Sequence, residues 1–221
     1  MKRGKGSRWI AVAAALCTTL TWSACSTAWI THAEQIVAAL IPAVSNVLTL
    51  VLTLEGKSIS AQDAQSIQSA AAEAGADLQL IESLITQYKQ AESAAKPGIL
   101  NQVSGAIQAT QASLDQILTA LHVEDAATQA KIAAVVGVVQ SELQSLTAVL
   151  PATSENPAVA AKIAARMGHP GAPLGPNAFV GLYNATMTAK TGNADVDRAT
   201  ASLQIHLHGR LARWVTAGWM K

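Results

Sequence analysis

Between residues 33 and 150, aliphatic side chains recur at alternating steps of three and four, four times over. In residues 33–54 the row is Val37, Leu40, Val44, Val47, Val51 and Leu54. In residues 61–95 it is Ile67, Ala71, Ala74, Leu78, Ile81, Ile85 and Tyr88. The third row is Leu100, Val103, Ile107, Thr110, Leu114, Ile117 and Leu121, and the fourth is Ile132, Val136, Val139, Leu143, Leu146 and Leu150. A mean step near 3.5 puts each row on one side of an α-helix, whereas a strand needs strict alternation. The expectation is an all-α fold.

The punctuation agrees. Glu55-Gly56-Lys57 breaks the first pattern. Ser60-Ala61-Gln62-Asp63 resembles a capping box with Asp in the Glu/Gln position. Pro97-Gly98 separates the second and third patterns, His122-Val123-Glu124-Asp125 the third and fourth, with Asp125 an N-cap, and Pro151 stops the last. Short connections make neighbouring helices antiparallel, so an up-down-up-down four-helix bundle over residues 33–150 is the economical arrangement. Ala71, Ala74 and Gly105 are the small residues expected where helices approach closely. Pro42 lies inside the first helix, where it removes a hydrogen bond and invites a kink. Ser45, Thr49 and Thr53 form a second, polar row on that helix. Burial of each row aliphatic is worth ~1.5–3 kcal/mol, enough for a core against the cost of ordering.

Composition narrows the function classes. Of 221 residues 45 are alanine and only 13% are charged, against about 25% in an ordinary domain. Disorder needs low hydrophobicity and high net charge, and this chain is 50% hydrophobic with net charge +1. The same balance argues against a nucleic-acid partner. Two cysteines exclude a disulfide-stapled scaffold and a cysteine-built zinc module.

The N-terminus reads as a targeting segment. Lys2, Arg3, Lys5 and Arg8 precede fourteen uncharged residues, 9–22. A basic region followed by a short apolar run is a secretory signal, too short for an ordinary span. The run ends in Trp22-Ser23-Ala24-Cys25. Ser23, Ala24 and Cys25 resemble the lipobox of bacterial lipoproteins, Leu-(Ala/Ser)-(Gly/Ala)-Cys, with Trp22 standing where that family has leucine or another aliphatic. The resemblance covers the first 25 residues alone. It implies that residues 1–24 are a signal peptide, that Cys25 carries the lipid at the mature N-terminus, and that residues 25–32 are a tether. Ser26 rather than Asp after the cysteine implies sorting to the outer membrane, facing the periplasm. Cleavage after Ala28, giving a soluble secreted protein, and an uncleaved anchor are the alternatives.

Charge is unevenly spread. Residues 1–24 carry four bases, residues 25–150 eleven acids and four bases, and residues 151–221 three acids and seven bases. The acidic body and basic tail either pack on each other or leave the tail to an anionic surface. Residues 151–177 read as a Pro/Gly-rich linker with one short helix at 158–167. Residues 178–221 read as a C-terminal helical segment, one helix at 178–189 and a last amphipathic one at 194–219. Leu203, Leu207, Leu211 and Trp214 line its apolar face. Trp214, Trp219, Arg210 and Arg213 are candidates for membrane contact.

Chemistry is sparse. His206-Leu207-His208 is the one clustered metal-capable pair, and on a helix these positions lie about 200° apart, so His206 and His208 are weak metal candidates. Glu-x-x-His, His-Glu-x-x-His, Cys-x-x-Cys-His, Gly-x-Ser-x-Gly and the phosphate-binding Gly-x-x-x-x-Gly-Lys-(Ser/Thr) are absent. Asn184-Ala185-Thr186 matches a glycosylation sequon, discounted for a chain resembling bacterial lipoproteins. The expected protein has no catalytic residues and no cofactor. It is a non-enzymatic lipoprotein held to the bilayer through Cys25, with a scaffold or partner-binding role toward an envelope protein. The rival is a holin-like or pore-forming protein that inserts residues 36–54, nineteen without a charge.

Overall fold

The computed structural model describes residues 7–55, 59–123, 125–151 and 175–206, and for 7–28 the backbone alone. Six helices carry the described chain: α1 Ser7–Leu54, α2 Ala61–Gln90, α3 Lys96–Ala120, α4 Ala126–Val149, α5 Pro176–Thr188 and α6 Ala194–Ala201. Among the described residues the only sheet-like pairings are isolated bridges, Ile59 with Glu55 and with Val123. The fold is all-α.

The four rows became four buried seams. Val37, Leu40, Val44, Val47, Val51 and Leu54 of α1 are all buried, as are Ile67, Leu78, Ile81 and Ile85 of α2 and Ile132, Val136, Val139, Leu143 and Leu146 of α4. They join Val103, Ile107, Leu114 and Ile117 of α3 in one continuous core. α2 and α3 form the most extensive pair; α1 packs on α2 and α4, and α3 on α4. Named contacts join particular positions of these helices. Trp29 and Lys89 tie the α1 region near Glu34 to the end of α2, through the Trp29–Tyr88 ring contact and the Lys89–Glu34 ion pair. His122 Nδ1 lies 3.6 Å from Asp63 Oδ1, joining the end of α3 to the start of α2. Gln140 Nε2 donates to Asp115 Oδ1 at 2.8 Å, joining α4 to α3.

The caps form where the sequence placed them. Ser60 Oγ accepts from Asp63 N at 3.1 Å and donates to Asp63 Oδ2 at 2.7 Å, so the box closes side chain to side chain. Asp125 accepts from Ala127 N and Thr128 N at the start of α4. Thr128 donates its hydroxyl to the same carboxylate, and this bond leads the causes that hold Asp125 below the usual carboxylate range.

Four expectations change. The first helix does not begin at residue 33: α1 is continuous from Ser7 through residues 25–32. No Gly or Pro interrupts the chain between Ser7 and Pro42, and α1 runs through Pro42 as well. α2 ends at Gln90, not near 95, with Ala91 already extended. Gly105 is exposed and a Cβ there would meet nothing within 4 Å, so it marks no close approach; Ala71 and Ala74 are buried as expected. The helix expected at 194–219 stops at Ala201, with 202–206 non-helical, and 207–219 lies outside the described residues. Leu203, expected on its apolar face, is buried in non-helical chain instead. The short helix expected at 158–167 lies outside the described residues.

α5 and α6 fold back onto the helices. α5 packs on α4 and α1, and α6 on α1 and α5. Phe179, Tyr183 and Met187 of α5 and Val196 of α6 are fully buried. The turn between them uses Gly192 at φ +85°, a conformation side chains disfavour. Asn193 caps α6, accepting from Asp195 N at 3.1 Å and Val196 N at 3.4 Å.

Candidate functional site

Of the residues that the sequence put forward, Cys25 and His206 fall within the described chain. Cys25 lies on the α1 backbone, four positions before Trp29 and about 6 Å from it along the axis; its side chain is outside the description. His206 is exposed and non-helical, so the 200° separation from His208 does not apply. His208, Arg210, Arg213, Trp214 and Trp219 lie outside the described residues. Among the described residues, no group of three or more His, Cys, Asp or Glu is placed to hold a metal ion.

The polar groups that the fold does bring together are elsewhere. Two asparagines pin the chain after α6. Asn46 of α1 donates Nδ2 to the Leu203 carbonyl at 2.8 Å. Asn184 of α5 donates to the Ile205 carbonyl at 2.9 Å and accepts from Ile205 N at 2.8 Å. A side-chain amide thus does for Ile205 what a neighbouring strand would do, which is why the helix ends before it. Leu203 and Ile205 are buried beneath. The sequon asparagine is therefore engaged in packing the chain's own backbone. Tyr183 Oη donates to the Ala43 carbonyl at 3.5 Å, and burial pushes its phenol up while the Asn46 amide pulls the other way.

A second row on α4 carries two buried ionisable groups. Thr128, Lys131, Val135, Glu142 and Ser145 are all buried, at helical spacing beside the expected seam. Lys131 donates to the carbonyl of Ala189, the residue that ends α5. Desolvation lowers its pKa most, opposed by the carboxylate of Asp197 and aided by Lys190. Asp197 is held low chiefly by the Thr191 N–H, which it accepts at 2.8 Å.

Glu142 lies three turns further along the same face. It is 0% exposed, and its carboxylate oxygens lack a well-formed hydrogen bond, with the Ser145 side chain beside them. Burial pushes it up to about 7, with hydrogen bonding to the Ser145 side chain pulling the other way. A carboxyl group in this setting is a proton-binding group near neutral pH. No metal-ligating cluster accompanies it among the described residues.

The sequence reading passed over Lys131 and Glu142, and it met Asn184 only as a discounted sequon. The available signal was that α4 has apolar residues on two adjacent rows, Val135 and Val138 beside Val136 and Val139, which one partner face cannot cover. No protein-family model, no curated protein and no solved structure matches the chain.

Proposed function

We propose that this chain is a membrane-tethered, non-enzymatic lipoprotein of the bacterial cell envelope, acting as a scaffold or partner-binding module. The observation that carries it is the order of the first 25 residues: four bases, the uncharged residues 9–22, then Ser23-Ala24-Cys25. On this reading Cys25 bears the lipid, and Ser26 directs the protein to the outer membrane, facing the periplasm. α1–α4 form an up-down-up-down bundle, supported by the end-to-end contacts of α1 with α2 and α2 with α3. Because α1 is already helical at residue 25, the lipid joins the end of a helix and not a flexible tether. The bundle then stands directly on the bilayer. Partners are read by the exposed faces of α2 and α3, dressed with Gln, Ser and Glu.

The membrane-active alternative rests on residues 36–54, within a stretch long and apolar enough to cross a bilayer. Ten of those nineteen residues are buried in the core, so insertion would have to empty it. Intact mass of the protein extracted from the membranes of its own host separates the readings. A chain starting at Cys25 plus a diacylglyceryl group, usually with an N-acyl chain, is expected. A chain starting near Trp29 without lipid would overturn the anchor and make liposome leakage the next measurement.

A further inference from the structure

We infer that the end of the helical body where α1 leaves residue 25 is itself a membrane-resting surface, fitted to phospholipid headgroups. This deepens the tethered reading but rests on different residues. Three chain segments converge there: α1 around Trp29, the end of α2 at Tyr88 and Lys89, and the start of α3 at Lys96. Trp29 stands edge-on to Tyr88, ring centroids 4.9 Å apart at 76°. Lys96 Nζ sits 5.0 Å from the centre of the Tyr88 ring. Trp29, Tyr88 and, one turn into α3, Ile99 are packed against the core yet only half-covered.

Tryptophan and tyrosine beside lysine is the composition that settles at a bilayer interface: the ring bodies sit among the acyl ends, and the polar tips and ammonium groups meet phosphate and carbonyl. Tyr88 is the sole aromatic residue between Trp29 and Phe179, and it stands against Trp29. The Trp29 indole Nε1 is buried without an acceptor. A buried indole N–H normally finds a partner, and a lipid carbonyl supplies one if the ring turns outward.

Charge orients the body the same way. At this end Lys89 is paired with Glu34, the exposed Glu92 is the other acid, and Lys96 lies on the Tyr88 ring. The opposite end presents five acids, Glu55, Asp63, Asp125, Asp195 and Asp197, against three bases, Lys131, Lys190 and Arg198, with His122 beside Asp63. An anionic leaflet repels that acidic end and tolerates the near-neutral one. Continuity supplies the occupant: α1 runs from this end through Cys25 and the uncharged residues 9–22, so either a lipid on Cys25 or the apolar run itself brings the bilayer to these side chains.

The test is hydrogen–deuterium exchange of the full chain, extracted from its host envelope. It is compared in dodecylmaltoside and in vesicles of phosphatidylcholine with phosphatidylglycerol. Residues 91–95, in the turn at this end, should exchange roughly tenfold more slowly on vesicles, while residues 121–125 at the far end keep their rate. Lys96→Glu should return the 91–95 rate toward the detergent value by roughly fivefold, with unchanged helical circular dichroism. Unslowed exchange at 91–95, or equal slowing at both ends, would overturn the surface. The mass of the same sample keeps the two proposals apart. A lipidated Cys25 with an unslowed turn leaves the anchor standing without this surface, and a slowed turn without lipid keeps the surface and removes the anchor.

Discussion

α1 and α4 are the two described helices long and apolar enough to cross a bilayer, yet they dispose of their polar residues in opposite ways. α1 turns Ser45, Thr49 and Thr53 outward. Their hydroxyls are satisfied locally, Thr49 donating to the Ser45 carbonyl at 3.0 Å and Thr53 to the Thr49 carbonyl at 2.8 Å. α4 turns Lys131 and Glu142 inward. An outward hydroxyl bonded to its own helix costs little in any solvent. An inward carboxyl without a well-formed hydrogen bond is expensive, and it is tolerated here as the neutral acid. Apolar length therefore does not separate a core helix from a membrane helix; the direction of the polar exceptions is more telling.

The sharpest way to break the comparison is Val47→Lys in α1, a position 1% exposed at the centre of the core. An unpaired ammonium there should cost more than about 4 kcal/mol and abolish the cooperative thermal transition, followed by circular dichroism. Thr49→Lys, two residues on and exposed, should stay within about 0.5 kcal/mol of the parent. If α1 were instead the inserting segment of a membrane-active protein, Val47→Lys would block insertion while the remaining helices stayed folded.

The next largest effect belongs to Glu142. Its value in the folded protein, about 7, lies above the ordinary 4.5. The contribution of this residue to stability is whole below pH 4.5, falls as the pH rises, and levels off above about 7. The gap is worth about 3 kcal/mol. Glu142→Gln cannot ionise, so it should match the parent in acid and exceed it by up to that amount in mild alkali. Urea unfolding at the two pH values measures this. Parallel curves for parent and variant across the whole range would mean that the carboxylate finds a partner on ionising.

The difference between the two helices also marks how far sequence carries. The α1 row and its polar companions were legible because both are strictly periodic and local. So were the Ser60 and Asp125 caps, which satisfy backbone groups two or three residues away. The second row of α4 was not legible. Its members Thr128, Lys131, Glu142 and Ser145 look like an ordinary solvated face until α5, some fifty residues later, covers it. Nor could the clamp on residues 203–205 be read, since Asn46 and Leu203 stand 157 positions apart. A targeting motif also masked a plain local signal: residues 25–32 contain no helix breaker, and α1 simply continues through them.

That clamp gives a smaller test, and sets the one inward amide of α1 beside its counterpart on α5. Asn184→Ala removes both bonds to Ile205 and leaves its backbone N–H and carbonyl unpaired. The expected loss is about 2 kcal/mol. Amide exchange at residues 203–206 should rise while that of the α2–α3 pair is unchanged. A uniform rise through all helices would mean that the C-terminal chain is integral to the core and not strapped onto it.

Gly137 of α4 sharpens the comparison at the smallest scale. It is exposed, on the side of α4 away from both buried rows, and an added Cβ would meet nothing within 4 Å. In a bare, solvated helix face, glycine is a liability: it adds chain entropy to the unfolded state and contributes no contact. Gly137→Ala should therefore stabilise by about 0.5–1 kcal/mol, read as a shift in the urea midpoint at unchanged slope. The competing possibility is that the small residue keeps this face open for another helix, in a membrane or in a second copy, as small residues do where helix backbones come close. There the alanine would weaken association, and the midpoint would become dependent on protein concentration in the parent but not in the variant. A concentration-independent gain places α4 as a helix whose polar exceptions point inward because its outer face has only water to meet.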